Sequence, residues 1–214
     1  MHIPDGFLTP NVWAPAWLIS VGGLGYCVKK TTAILKDKMV PLMGVVAAFI
    51  FAAQMLNFPV MGGTSGHLLG GVLASILLGP FAGALALACV LIVQCLIFQD
   101  GGLTALGANI FNMAFIGAIL GYWIYFLISK SVKGNKGIMT GAAVASWVSV
   151  VIASCACAIE LELSGTSPLS VALPAMVFVH AFIGAGEAII TCLIIGFVVK
   201  VRPDLIYKGG LNNG

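Results

Sequence analysis

Apolar residues in this chain run on without alternating with polar ones. Glycine, proline and lysine divide the runs into spans near 11–28, 39–58, 67–79, 81–98, 105–129, 138–159 and 170–199. A helix needs about 20 residues to cross about 30 Å of hydrocarbon, so the pattern predicts an all-α polytopic membrane protein with seven transmembrane helices. The lack of strict alternation excludes an outer-membrane β-barrel. The third and fourth spans are short and are parted only by Gly79 and Pro80, a pair that ends one helix and opens the next. Counts of five and eight spans are the competing readings.

Charge decides among them, because lysine and arginine in short loops mark the cytoplasmic face. Lys29, Lys30, Lys36 and Lys38 follow the first span, Lys130, Lys133 and Lys136 the fifth, and Lys200, Arg202 and Lys208 the seventh. Seven helices therefore gather all ten positive side chains on one side. Residues 1–10, 59–66, 99–104 and 160–169 then lie outside with Asp5, Asp100, Glu160 and Glu162, which puts the N-terminus outside and the C-terminus in the cytoplasm. No basic stretch precedes the first apolar run and Tyr26 before Cys27 is no signal-cleavage site, so the start of the chain is expected to stay uncleaved.

Composition sharpens the picture by exclusion. Of the 214 residues, 60% are apolar and 8% charged, against roughly 25% charged in a soluble domain. Mean hydropathy is +1.11. A net charge of +3 is too small and too scattered for a nucleic-acid binder. The six cysteines lie in apolar stretches without zinc spacing and read as small hydrophobes. No Gly-Lys-Ser or Gly-Lys-Thr sequence occurs, so the chain is not expected to be an ATPase itself. Gly44, Ala48 and Ala52 recur every four residues and form a small-residue stripe, suited to packing within the chain or against a membrane partner.

The opening MHIPDGFLTP carries the first chemistry. With histidine at position 2, the amine of Met1, the deprotonated backbone nitrogen of His2 and the His2 imidazole Nδ1 close five- and six-membered rings around one ion, in one plane. Amide deprotonation demands a good Lewis acid with a square-planar preference, which points to Ni(II) or Cu(II), and next to Co(II). The fourth corner is open. His67, in NFPVMGGTSGHLLGG at 57–71, shares the outer face and can supply it, a first-turn histidine with structural hydrogen bonds being the competing role; the glycines of this segment and a capping hydroxyl from Thr64 or Ser65 suit a re-entrant loop. Gln54, Asn57, Gln94, Gln99, Asn109, Asn112, His180 and Glu187 are polar residues of the spans, and such residues face a bundle interior. Asn109, Asn112 and His180 are candidates to support the ligands from behind. A plain helix-to-helix hydrogen bond is the competing role for His180, and Glu187, on the same helix face, reads as a contact between helices or with the tail. Gly63-Thr64-Ser65-Gly66 also has the form of a rhomboid protease motif, with His180 as base, although the other rhomboid signatures are missing.

MHIPDGFL, FPVMGGTSGHLLGG, QDGGLTALGANIFNM at 99–113 and HAFIGAGEAIIT at 180–191 resemble the CbiM/NikM family, the substrate-binding membrane components of cobalt and nickel energy-coupling factor transporters. The resemblance covers essentially the whole chain. It implies a single membrane domain made of an external metal-binding strand and extra first helix (1–38), a six-helix core (39–200) and a cytoplasmic tail (201–214), in the cytoplasmic membrane of a prokaryote. It also implies the ligands Met1, His2 and His67, with Ni(II) or Co(II) as cargo and no resident cofactor. The implied partners are a transmembrane scaffold subunit, ATP-binding cassette ATPases and a small accessory membrane subunit of the CbiN/NikN type. Pro4-Asp5 replaces the family's more usual Met-Glu, and the sequence stops before the extension that some relatives carry as a fused small subunit. A stand-alone channel or carrier for a divalent cation is the alternative, with an intramembrane serine protease behind it.

Overall fold

The computed structural model describes residues 1–35, 37, 39–60, 64–132 and 134–209. Among them the seven apolar spans become seven helices: α1 (Pro10–Thr32), α2 (Met39–Gln54), α3 (Gly71–Leu78), α4 (Pro80–Phe98), α5 (Leu106–Ser131), α6 (Gly134–Leu163) and α7 (Leu169–Val201). Four of these, α4 to α7, are long and apolar enough to cross a membrane. The third span is shorter than its apolar run suggests. It holds 8 residues, about 12 Å at 1.5 Å per residue, and does not cross a bilayer alone. Residues 67–70 ahead of it are irregular backbone, and Gly70 takes a φ of 76°, a value that glycine adopts without strain. Inside α5 the stretch Phe111–Leu120 is wound as a π-helix.

One element departs from the all-α expectation. Phe58–Val60 (β1) pairs antiparallel with Thr64–Gly66 (β2), Pro59 standing opposite Ser65. α2 stops at Gln54 instead of near 58, and Pro59 lies in the strand that follows. Met61, Gly62 and Gly63 lie outside the described residues, as do Lys36, Lys38 and Lys133.

Polar and apolar residues are distributed as in a membrane protein. Phe178, Phe182, Ile189, Leu193 and Phe197 of α7 are exposed, Phe182 at 68% and Leu193 at 69%. Gln54, Gln94, Asn109, Asn112, His180 and Glu187 are buried. Outside water such an arrangement is stable because lipid solvates the apolar face while the polar groups bond one another. Gly44, Ala48 and Ala52 are exposed on the outer side of α2, so the small-residue stripe is not packed within this chain.

The two ends of the bundle differ. At one end, the end of α1, the start of α2, the end of α3 and the tail segment 204–209 surround a cavity of about 810 Å³. The tail is fastened there by Tyr207 N–H to the Ile76 carbonyl (2.9 Å) and by the Tyr122 hydroxyl to the Gly209 carbonyl (2.9 Å). Lys29 and Lys30, in the last turn of α1, belong to this end. At the other end the first nine residues turn into the bundle, and Met1, His2 and Ile3 are 0%, 3% and 0% exposed.

Candidate metal site

The chain start is held by its backbone. Asn109, near the start of α5, accepts the Ile3 N–H at 2.9 Å and donates to the Ile3 carbonyl at 3.2 Å, while Gly102 N–H reaches the same carbonyl at 2.8 Å. The Asp5 carboxylate receives Leu103 N–H (3.0 Å), Thr104 N–H (2.7 Å) and the Thr104 hydroxyl (2.6 Å). The hydrogen bond from Thr104 holds that carboxyl below its ordinary pKa. Gly102 makes the approach close enough, because a Cβ there would stand 2.2 Å from the Asp5 nitrogen. The Pro4-Asp5 departure from the family pattern thus keeps a working anchor in Asp5.

Met1, His2 and His67 come together at the buried chain start. The Met1 amine donates to the Ser65 carbonyl and to the Ser65 hydroxyl (3.1 Å), and His2 N–H points at the same hydroxyl (3.2 Å). The rings of His2 and His67 stack with centroids 4.4 Å apart and planes inclined by 29°. His2 Nε2 lies 3.1 Å from Gln94 Oε1, and His67 Nδ1 lies 2.7 Å from the Leu68 carbonyl. The Leu68 carbonyl assigns the proton of His67 to Nδ1 and leaves Nε2 as a lone pair; with Gln94 turned as an acceptor, His2 is protonated on Nε2 and its Nδ1 is a lone pair as well. Both are buried without a hydrogen-bond partner. An unsatisfied buried acceptor is unfavourable in a protein and suited to an ion.

Burial also tunes protonation in the direction that a metal requires. It pushes the Met1 amine down to about 5, against a weaker opposing pull from Cys157 and Asp100, and the His2 imidazole down to about 3. His67 is held well below its ordinary value by burial and then by the amine and by His2. Neutral amine and imidazole are the forms that coordinate.

The loop that carries His67 is set by buried polar side chains. Gln54 Nε2 donates to the Leu69 carbonyl (2.8 Å), and the Glu187 carboxylate takes Leu69 N–H (2.7 Å) and Gly70 N–H (3.0 Å). Glu187 therefore contacts a loop backbone, where helix packing or the tail was expected. The Thr64 hydroxyl reaches Met176 Sδ at 3.0 Å, and His180 Nδ1 bonds the Met176 carbonyl at 2.8 Å. His180 Nε2 is buried and without a hydrogen-bond partner.

Met1, His2 and His67 are thus brought together, and Asn109 holds the strand from behind. Asn112 instead donates to Glu160 at 2.6 Å, tying α5 to α6. The hydroxyl of Ser65 serves the nitrogens of Met1 and His2, an arrangement that does not prepare a nucleophile for His180. In the sequence Gln94 and Gln54 read only as buried polar residues and Ser65 as a helix cap. No spacing signal marks the three as supports of one site. Among the described residues no group of three or more His, Cys, Asp and Glu side chains forms a metal cage.

Comparison with known proteins places the chain in a family. The sequence profile of the family CbiM, described as a cobalt uptake substrate-specific transmembrane region, matches residues 2–205. The chain belongs to the CbiM family. A CbiM relative of Archaeoglobus fulgidus, provisionally named as a fused nickel transport protein NikMN, is 44% identical over 96% of this chain and 68% of its own length. The fused nickel transport protein NikMN of Rhodobacter capsulatus is 34% identical, over 96% of this chain and 64% of its own length. A crystal structure described as a transition metal transporter superposes with a TM-score of 0.86 at 38% identity, covering 94% of this chain and 93% of that one. As a member of CbiM the chain is a membrane protein of a nickel and cobalt transport family.

Proposed function

We propose that this protein captures Ni(II) or Co(II) with the Met1 amine, the His2 backbone nitrogen, His2 Nδ1 and His67 Nε2. It does so as the substrate-specific component of an ATP-driven energy-coupling factor transporter in a prokaryotic cytoplasmic membrane. The observation that carries the reading is the meeting of two bare, buried imidazole nitrogens with two main-chain nitrogens on one serine hydroxyl. Four nitrogens in a plane favour low-spin Ni(II), while raw affinity order favours Cu(II), so selection among ions rests on availability and access. In this reading residues 1–38 form the metal-binding strand and extra helix, 39–200 a six-helix core and 201–214 the cytoplasmic tail. The seven helices together make a multi-pass unit with the metal site toward the outside.

Uphill movement needs a transmembrane scaffold and ATP-binding cassette ATPases, and the exposed stripe of Gly44, Ala48 and Ala52 offers such a partner a close approach. Relatives named as fused NikMN proteins support association with a small accessory subunit of the CbiN/NikN type. Metal analysis of the purified chain tests the reading. One Ni(II) or Co(II) per chain is expected, and a chain that takes up neither from excess ion refutes it. Ion flux into liposomes by the chain alone, without ATP or partners, would instead establish a channel or carrier.

Topology has its own test. Cysteines placed at positions 133 and 162 should differ in labelling by a membrane-impermeant reagent, position 162 reacting from outside. Labelling of both from one side would remove the seven-crossing arrangement.

A further inference from the structure

Among the described residues the acidic side chains at the site end of the bundle accept hydrogen bonds, and one of them also borders a buried ring nitrogen. Asp5 is saturated by residues 103 and 104, Glu160 holds Asn112, and Glu162 accepts the Leu169 N–H at 2.5 Å. Asp100 differs from these. Its Oδ2 takes a hydrogen bond from Asn57 Nδ2 (2.8 Å), and its Oδ1 stands 3.4 Å from His2 Nδ1. The Asp100 side chain keeps 16% exposure where that of His2 keeps 3%. A carboxylate that touches solvent therefore borders the buried, bare nitrogen that a metal ion must reach.

We propose that Asp100 is the docking ligand through which a divalent cation loads the site. A hydrated cation exchanges water for a carboxylate oxygen without losing hard-ligand character. With ligand bonds of about 2.1 Å, one ion bridges two atoms at this separation with an angle of about 110° at the metal. That angle suits a bent intermediate and does not suit two neighbouring corners of a square plane. His67 Nε2 then completes the four-nitrogen set and the carboxylate is released. Asn57 keeps the carboxylate turned toward His2 in the meantime.

This inference rests on the proposed chelate, and its test separates the two. A ligand used only on the path lowers the barrier in both directions, so its removal slows loading and release together and moves the affinity less than either rate. In rapid mixing of the purified full chain with Ni(II), D100N should lower the association and dissociation rates by about tenfold each. The absorption spectrum of the bound ion should not change, and D100E should keep fast loading. Wild-type rates in D100N overturn the proposal. So does faster release with an altered spectrum, which makes Asp100 a permanent ligand, and so does D100E as slow as D100N, which makes its role structural. A wild-type chain that binds neither Ni(II) nor Co(II) removes the chelate itself along with its docking ligand.

Discussion

One residue added ahead of Met1 is expected to abolish retention of Ni(II) or Co(II), although every side chain is kept. The extension turns the amine into an amide, a far poorer donor, and it must fit where Met1 is already 0% exposed and bonded to Ser65. If about 10 kcal/mol of binding is shared equally by four nitrogens, loss of one donor is about 2.5 kcal/mol, close to a hundredfold. Displacement of the His2 backbone nitrogen at the same time takes the expected loss to about a thousandfold or more. Equilibrium binding of the extended and native chains reads this directly. Equal affinity would mean that the chain terminus takes no part in binding.

His67 and His180 provide the second large contrast. Replacing His67 with alanine removes the fourth nitrogen, so affinity should fall about a hundredfold on the same apportionment. The stacking partner of His2 is lost as well. His180 is anchored to the Met176 carbonyl within its own helix and is not assigned to the metal, so its alanine variant should lose much less. Equal losses from the two variants would show that the unpartnered His180 Nε2 is a ligand too.

The parts of this structure that were legible in the sequence are those governed by local chemistry. Apolar runs bounded by lysine and glycine gave the order and approximate length of α4 to α7, because hydrocarbon thickness and helical rise fix a length scale. Met-His at the start and His67 behind a glycine-rich run announced a nitrogen set, because chelate rings depend on covalent spacing within a dipeptide. What escaped was set by tertiary contacts. The end of the second hydrophobic run pairs as a strand with residues 64–66, and the eight residues of α3 look longer in a sequence that stays apolar through the loop at 67–70. Glu187 serves residues 118 and 117 positions away, a pairing that no periodicity reveals. The Met1 side chain, which reads as incidental beside its amine, lies in the core with Ile3 and Leu8. Replacing it is therefore a packing change as well as a test of the main-chain donor.

The coordination of Ni(II) in the loaded protein tests the central claim most directly, by magnetic measurement combined with X-ray absorption. A plane of four nitrogens from Met1, His2 and His67 predicts a diamagnetic, four-coordinate ion with nitrogen neighbours only. A paramagnetic, six-coordinate ion with oxygen in its first coordination sphere would contradict the chelate.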